Sequence, residues 1–289
     1  MQQSLKNYFQ RKFQKEVLFS SNMKDNLEIH ELIDFPSVHL QRTVRIKIFL
    51  PPGFDPFQET QYPSLYFNDG QDMKALKMSE TLDRIYQHNS LKKLLVIAVH
   101  AGDRGQEYGT ASQLDYKQRG RKARQYGNFV TQELVPMMRR IYHASVKPAD
   151  TCIAGFSLGG LSALDIAWDY PDIFAKVGLF SASLWWRSQA YTPDDPDGHR
   201  IMHQIIRESV TRPGFRFWLQ TGTNDETEDR NNNGIIDSID DTMDLIRELE
   251  KLSYRRDHDI RYVEVKGGYH NQATWRKIMP DFLHWMFGQ

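Results

Sequence analysis

Short runs of apolar and β-branched residues recur along the chain from residue 43 onward, and longer amphipathic stretches separate the later runs. Short apolar runs bounded by polar or turn-forming residues are typical of buried strands. The predicted strands cover residues 43–50, 64–67, 94–100, 151–154, 177–181, 215–220 and 260–265. The predicted helices cover residues 121–142, 161–168, 201–210, 243–252 and 272–287, and Pro136 is expected to kink the first of them or end it early.

Strands that alternate with helices favour a mostly parallel sheet with helices packed on both faces. The strands before residue 70 follow one another without intervening helices, which predicts an antiparallel edge. The pattern therefore predicts the α/β class, with a single domain over residues 41–289. Residues 1–40 show little periodicity, and we interpret them as an N-terminal extension of unassigned structure.

Composition excludes several classes of protein. Hydrophobic residues make up 40% of the chain and charged residues 26%, values typical of a globular domain with a sizeable core. The 37 basic and 37 acidic residues cancel, so no overall field attracts nucleic acid or an anionic membrane, and neither partner is expected. No apolar run approaches the roughly 18 residues of a membrane span, and a single cysteine, Cys152, excludes an internal disulfide.

The amino-terminal residues carry scattered positive charges but lack the apolar core of a signal peptide. We therefore expect a cytoplasmic location, with the reservation that a leader removed from the chain would leave no trace. The sequence does not indicate an oligomeric state.

A G-x-S-x-G pattern is formed by Gly155, Ser157 and Gly159, directly after a predicted strand and directly before a predicted helix. In the α/β-hydrolase fold, the nucleophilic serine lies on such a strand-to-helix turn, where flanking glycines let the backbone segments approach closely. The amide of Leu158 would then point at the oxyanion that forms during acyl transfer. Ser157 is the predicted nucleophile.

A serine nucleophile needs a general base and an acid that orients the base, and in this fold they follow in the order Ser, acid, His. His270 lies after the last predicted strand and before the last helix, so it is the predicted base. The acid is expected in the loop TGTNDETEDR, after the preceding strand. We predict Asp225, the first carboxylate of that loop, and Glu226 is the next candidate.

The segment DRNNNGIIDSID, which begins at Asp229, fits the twelve-position calcium loop. Gly234 occupies the sixth position, where the chain must turn sharply. Ile236 follows as the expected core anchor. The predicted ligands are Asp229, Asn231, Asn233, the carbonyl of Ile235, Asp237 and Asp240.

Asp240 departs from the usual glutamate at the twelfth calcium-loop position, and in this respect the segment resembles the loops of dockerins. We interpret a bound Ca²⁺ as a structural ion that pins the segment carrying Asp225 without touching substrate. A solvent loop rich in asparagine and glycine, with no ion, is the alternative interpretation.

Several motifs together resemble the esterase branch of the α/β-hydrolases that includes enterochelin esterases, feruloyl and acetyl-xylan esterases and S-formylglutathione hydrolases. The motifs, in chain order, are VRIKIFLPPGF, YPSLYFNDGQDM, AGFSLGGLSAL, YPDIFAKVGLFSASLWW, GTND and GGYHNQATW. The resemblance implies a triad of Ser157, Asp225 and His270. It also implies that Gln71 supplies the second oxyanion amide. Trp185 and Trp186 resemble an aromatic wall beside the acyl pocket, although tryptophans here can equally pack under a loop.

The resemblance implies a serine carboxylesterase that hydrolyses a small-molecule ester through an acyl-serine intermediate. The sequence does not assign the acyl group. Tyr108 and Arg104, together with the two tryptophans, would suit an aromatic or catecholate acyl group, and a sugar-linked acyl ester is equally compatible. No organic cofactor and no zinc site are expected. A non-catalytic calcium-dependent binding protein on the same fold and an acyltransferase are the alternative functions.

Overall fold

An eight-stranded sheet forms the centre of the computed structural model, which describes residues 27–57, 60–88 and 90–288. The strands are β1 (Glu28–Ser37), β2 (Arg42–Leu50), β3 (Ser64–Asn68), β4 (Leu95–Val99), β5 (Thr151–Phe156), β6 (Lys176–Phe180), β7 (Arg216–Asn224) and β8 (Ile260–Tyr269). Every residue of β3, β4 and β5 is buried, which explains why these strands are continuous apolar runs and do not alternate.

The strand order is β1-β2-β4-β3-β5-β6-β7-β8. The pairs β1·β2 and β2·β4 are antiparallel, and all other neighbours are parallel. The predicted antiparallel edge is therefore present, but β3 lies inside the parallel part, next to β4 and β5. The carboxyl ends of β3, β5, β6, β7 and β8 consequently lie along one edge of the sheet.

Helices cover both faces of this sheet. They are α1 (Met78–Gln87), α2 (Arg104–Glu107), α3 (Ala123–Asn128), α4 (Val135–Ile141), α5 (Leu158–Asp169), α6 (Ile201–Arg207), α7 (Asp237–Lys251) and α8 (Gln272–Phe287). Two buried apolar clusters separate the layers: α1 and α8 share one with the sheet, and α3 to α7 share the other. This arrangement confirms the predicted α/β-hydrolase fold. None of the helices in the described ranges combines the length and apolarity that crossing a bilayer needs.

The helix predicted over residues 121–142 is divided into three segments. Between α3 and α4, residues Phe129–Leu134 form a wide π turn, in which the Val135 amide donates to the Val130 carbonyl. Pro136 lies in the first turn of α4, directly after this π turn. The expected kink is thus a change of helical register just before the proline.

The largest other differences from the prediction concern β1 and the start of α7. Strand β1 lies within the first 40 residues and pairs with β2 from Glu28 to Ser37, so the sheet includes part of the proposed extension. Residues 1–26 lie outside the described residues. Helix α7 begins at Asp237, six positions before the predicted start at 243, because its first turn is polar and lacks the apolar stripe used to find it.

Cys152 lies in β5, between Leu65 of β3 and Lys176 of β6. It is fully buried, and burial raises the pKa of its thiol far above the ordinary range. The thiol therefore stays protonated and inert in the core of the sheet.

Candidate active site

The turn at Ser157 joins β5 to α5. Ser157 has φ 51° and ψ −123°, a backbone conformation that few non-glycine residues adopt. A Cβ atom at Gly155 would lie 2.5 Å from the backbone of Gly159, so this position requires glycine. The G-x-S-x-G pattern thus reflects a close backbone approach within a strained turn, as the sequence predicted.

The carboxyl end of β6 holds this turn in place. The Ser157 amide donates to the Phe180 carbonyl at 3.0 Å, and the Ser183 amide donates to the Ser157 carbonyl at 3.0 Å. The hydroxyls of Ser157 and Ser183 lie 3.2 Å apart. Among the described residues, Ser183 is the hydrogen-bond partner of the Ser157 hydroxyl, and the imidazole of His270 does not yet bond it. Catalytic hydrogen bonds are often long before substrate binds and tighten afterwards.

Asp225 lies directly after β7. Its Oδ2 accepts a hydrogen bond from the Gly222 amide at 2.8 Å. Burial raises the pKa of Asp225, against the opposing effects of the Gly222 amide, the Ser181 hydroxyl and the charge of His270. Oδ1 of Asp225 is buried and has no hydrogen-bond partner among the described residues. A buried acceptor without a hydrogen bond lowers the stability of the fold, so Oδ1 would gain by accepting one. An imidazole N–H is the donor that a triad would provide.

Glu226 belongs to a different environment. Its carboxylate accepts a hydrogen bond from the Ser238 amide in the first turn of α7. Burial, with smaller contributions from Asp237 and Asp241, raises the pKa of Glu226 to about 7. Glu226 therefore caps α7, whereas Asp225 interacts with His270, and this contrast favours Asp225 as the acid.

His270 follows β8 and precedes α8. Desolvation lowers its pKa, the nearby Asp225 carboxylate opposes this, and the charge of Arg104 lowers it further. The edge of the imidazole contacts Trp275, with ring centroids 5.3 Å apart. Trp275 in turn stacks on Phe156 at 4.3 Å and donates its indole N–H to Ser181. Trp275, one turn into α8, thus links the base to the strand that carries Ser157, a role that sequence reasoning missed.

The turn after β3 lies against the Ser157 turn. Asn68 donates through Nδ2 to the Gly159 carbonyl at 2.7 Å. Asp69, with φ 61°, leads into a short 3₁₀ segment, Gly70–Asp72. The first amides of a helical segment have no acceptor within it, and this applies to Leu158 in α5 and to Gln71 in the 3₁₀ segment. Both predicted oxyanion donors therefore belong to adjacent turns.

Arg104 connects these two turns. Its guanidinium binds both carboxylate oxygens of Asp69, at 2.7 and 3.0 Å, and donates to the Phe156 carbonyl at 3.4 Å. Tyr108 is fully buried, and its hydroxyl accepts the Asp69 amide. These contacts show that Arg104 holds the backbone of the candidate oxyanion region. Tyr108, which the sequence suggested as a substrate contact, is instead buried beneath this region and supports it.

The two tryptophans after β6 differ. Trp186 is fully buried and packs against the loop glycines Gly109 and Gly120, so it does not form a wall open to substrate. Trp185 is partly exposed, and the Arg119 guanidinium lies 4.9 Å from its ring centroid. The hypothesis of an aromatic substrate surface therefore remains with Trp185 alone.

The predicted calcium loop is folded around its polar side chains. Asp240 Oδ2 lies 3.0 Å from Nδ2 of Asn231 and 2.8 Å from Nδ2 of Asn233. The Asp229 carboxylate accepts the amides of Asn233 and Gly234 at 3.1 and 2.9 Å. Gly234 has φ 84°, the left-handed conformation that the sharp turn requires. Ile235 is exposed and Ile236 is partly buried, which fits only a partial anchoring role for Ile236.

The carboxylate side chains of this loop are too few to bind a metal ion by themselves. Within the described ranges, no three His, Cys, Asp or Glu side chains cluster as metal ligands. A cation would therefore need the amide oxygens of Asn231 and Asn233 and the carbonyl of Ile235, and such hard oxygen donors are those that calcium prefers.

Arg230, at the second calcium-loop position, ties the loop to its surroundings. Its side chain is 5% exposed and pairs with Asp241 of α7 and with Asp197, at 2.9 and 2.7 Å. The Tyr191 hydroxyl donates to the Arg230 carbonyl at 2.9 Å. The predicted calcium loop therefore contacts both α7 and the segment that follows Trp185.

Residues 37–286 match the esterase family described as "Putative esterase", so the chain belongs to this family. The uncharacterized protein YbbA of Bacillus subtilis is 24% identical over 258 residues, which cover 88% of this chain and 96% of YbbA. An iron(III) enterobactin esterase of Escherichia coli is 32% identical over 154 residues, covering 51% of this chain but only 32% of that enzyme.

Solved structures share the fold. An enterobactin esterase from Shigella flexneri superposes with a TM-score of 0.69 at 21% identity, covering 90% of this chain and 59% of that chain. A ferulic acid esterase gives 0.65 at 17% identity, covering 92% of this chain and 100% of that one. The S-formylglutathione hydrolase of Staphylococcus aureus gives 0.61 at 17% identity, covering 90% and 99%. These likenesses show that the chain shares the α/β-hydrolase fold.

Replacing Arg104 with methionine should raise the pKa of His270, because the guanidinium charge lowers it. Replacing Arg104 with lysine keeps the charge and should leave that pKa near its original value, although the two-point contact with Asp69 is lost. Histidine titrations followed by NMR measure the pKa. Arg247→Met, which removes an exposed arginine of α7, is the charge-matched control. An unchanged pKa of His270 in Arg104→Met would contradict the inference that the Arg104 charge lowers this pKa.

Proposed function

We propose that this protein is a serine carboxylesterase in which Ser157 is the nucleophile, His270 the general base and Asp225 the acid that orients His270. The observation that carries the proposal is the strained turn of Ser157 between β5 and α5, with Asp225 and His270 at the ends of β7 and β8 on the same sheet edge. Serine hydrolases of this fold use that placement. Family membership supports ester hydrolysis.

In acylation, His270 removes the proton from Ser157 as the serine oxygen bonds to the carbonyl carbon of the ester. The carbonyl oxygen takes the negative charge, and the amides of Leu158 and Gln71 donate to it. Collapse of this intermediate breaks the bond to the alcohol, which receives the proton from His270. Water then attacks the acyl-serine, and His270 takes the water proton and returns it to Ser157 as the acid is released.

The lowered pKa of His270 suits this role. A general base must be neutral to accept a proton, and desolvation with the Arg104 charge keeps the imidazole neutral down to a lower pH. Activity should therefore be lost as the pH falls through the pKa of His270.

Replacing Ser157 with alanine should abolish hydrolysis of a short p-nitrophenyl ester, because no other group in the site would form the acyl intermediate. The circular dichroism spectrum and the melting temperature should stay close to those of the parent. Fluorophosphonate labelling, followed by peptide mapping, should modify Ser157 in the parent. Parent protein that neither hydrolyses esters nor takes the label would favour the alternative of a calcium-dependent binding protein.

A panel of aryl, acetyl-sugar and trilactone esters, with and without alcohol acceptors, would assign the acyl group and separate hydrolysis from acyl transfer.

The two neighbouring carboxylates can be distinguished by amide substitution. Asp225→Asn should lower kcat by about 10³- to 10⁴-fold, because the amide cannot stabilise the imidazolium and holds the wrong tautomer. Glu226→Gln should leave kcat near the parent value and lower the melting temperature, since Glu226 caps α7. Steady-state kinetics and thermal unfolding of both variants test this assignment. Loss of kcat in Glu226→Gln alone would transfer the role to Glu226.

We also propose that the loop from Asp229 to Asp240 binds a structural calcium ion. Asp229, Asn231, Asn233, Ile235, Asp237 and Asp240 would hold it through oxygen atoms. The ion would supply charge compensation to the three aspartates and would take no part in the reaction. Its effect on the site would pass through Glu226 and Arg230, which both contact α7.

Calcium should raise the melting temperature of the chelator-treated protein by about 5 °C or more when its concentration reaches about 100 times the dissociation constant. Magnesium at the same concentration should have a smaller effect, because it tolerates this irregular oxygen cage less well. Asp240→Asn should remove most of the calcium response and serves as the matched variant. Equal melting temperatures with calcium and with chelator would overturn the proposal.

A further inference from the structure

Ser183 lies three residues after β6, beside the candidate nucleophile. It is 2% exposed, so its hydroxyl is shielded from water. Its oxygen lies 3.2 Å from the hydroxyl oxygen of Ser157, within hydrogen-bonding distance. The contact joins the atom that would react to a second hydroxyl that the triad does not use.

The position of Ser183 is fixed by its backbone. Its amide donates to the carbonyl of Ser157 at 3.0 Å, while the Ser157 amide donates to Phe180, at the end of β6. The Trp186 amide bonds to the Ser183 carbonyl at 3.2 Å, and Trp186 itself is fully buried. The Ser183 hydroxyl is thus held on a rigid turn, as a preorganised donor should be.

We propose that Ser183 is a further catalytic residue, whose hydroxyl donates a hydrogen bond to the Ser157 oxygen as that oxygen leaves the acyl group. This inference rests on the proposed function, because it requires an acyl-serine intermediate. Either hydroxyl can be the donor in the resting protein. In the acyl-enzyme the Ser157 oxygen carries no proton, so only Ser183 can donate.

The contribution of Ser183 should differ between the two half-reactions. In deacylation, water adds to the carbonyl carbon and gives a proton to His270. The bond from that carbon to the Ser157 oxygen then breaks, and His270 returns the proton to this oxygen. The ester oxygen is a weak acceptor, but it gains negative charge as the bond breaks, so the hydrogen bond from Ser183 strengthens in the transition state. In acylation, the Ser157 hydroxyl gives its own proton to His270 and therefore accepts from Ser183. This hydrogen bond is then already made before the serine oxygen attacks, so its loss changes the acylation barrier less than the deacylation barrier.

Ser183→Ala should therefore slow deacylation about tenfold, the factor expected from one hydrogen bond of ordinary strength, and leave the acylation rate near that of the parent. With p-nitrophenyl acetate in stopped flow, the rate of the p-nitrophenolate burst reports acylation and the later steady rate reports deacylation. Mass spectrometry of the quenched protein should show more acetylated Ser157 in the variant. Ser183→Cys, which keeps a weak S–H donor of similar size, should give an intermediate deacylation rate.

Ser37→Ala is the matched control, because it removes another buried hydroxyl, one that accepts the Leu40 amide between β1 and β2. It should change the melting temperature but not the ratio of the two rates. Equal slowing of both steps in Ser183→Ala would indicate a structural role and overturn the proposal, and so would unchanged rates in both. A parent protein that neither hydrolyses p-nitrophenyl acetate nor takes the fluorophosphonate label at Ser157 would instead refute the proposed function.

Discussion

The backbone conformation of Ser157 is the constraint on which the candidate site depends. A residue held at positive φ costs about 1–3 kcal/mol, so its surroundings must stabilise it. Three kinds of contact do so: the backbone approach of Gly155 to Gly159, the hydrogen bond from the Ser157 amide to β6, and the bond from Ser183 to the Ser157 carbonyl. The sheet thereby presents one hydroxyl at the edge where the parallel strands end.

The groups around this hydroxyl are held from several strands at once. The turn after β3 reaches the Ser157 turn through Asn68, and Arg104 binds Asp69 and the carbonyl of Phe156 together. On the other side, Trp275 contacts His270, Phe156 and Ser181. A displacement of any one of these turns would alter the geometry of the oxyanion region or of the base.

The amino-acid sequence predicts much of this arrangement, because strands β3 to β5 are continuous apolar runs, because β2 and β8 alternate apolar with polar residues, and because the G-x-S-x-G turn has a strict backbone requirement. Local order along the chain also predicts that Asp225 and His270 follow the last two strands, where the structure has them. It does not predict strand β1, whose half-exposed pattern resembles a loop, or the π turn before Pro136. Contacts between distant segments, such as the one from Ser183 to Ser157 and the burial of Trp186 under Gly109 and Gly120, leave no periodic signal.

The single cysteine can report on the local unfolding of the sheet beside the candidate nucleophile. Cys152 is enclosed by β3 and β6, five positions before Ser157, and its thiol stays protonated. A thiol reagent can reach this sulfur only when the centre of the sheet opens. Its rate of modification should therefore follow the unfolding of the strand that carries the candidate nucleophile, without any engineered label and independently of esterase chemistry.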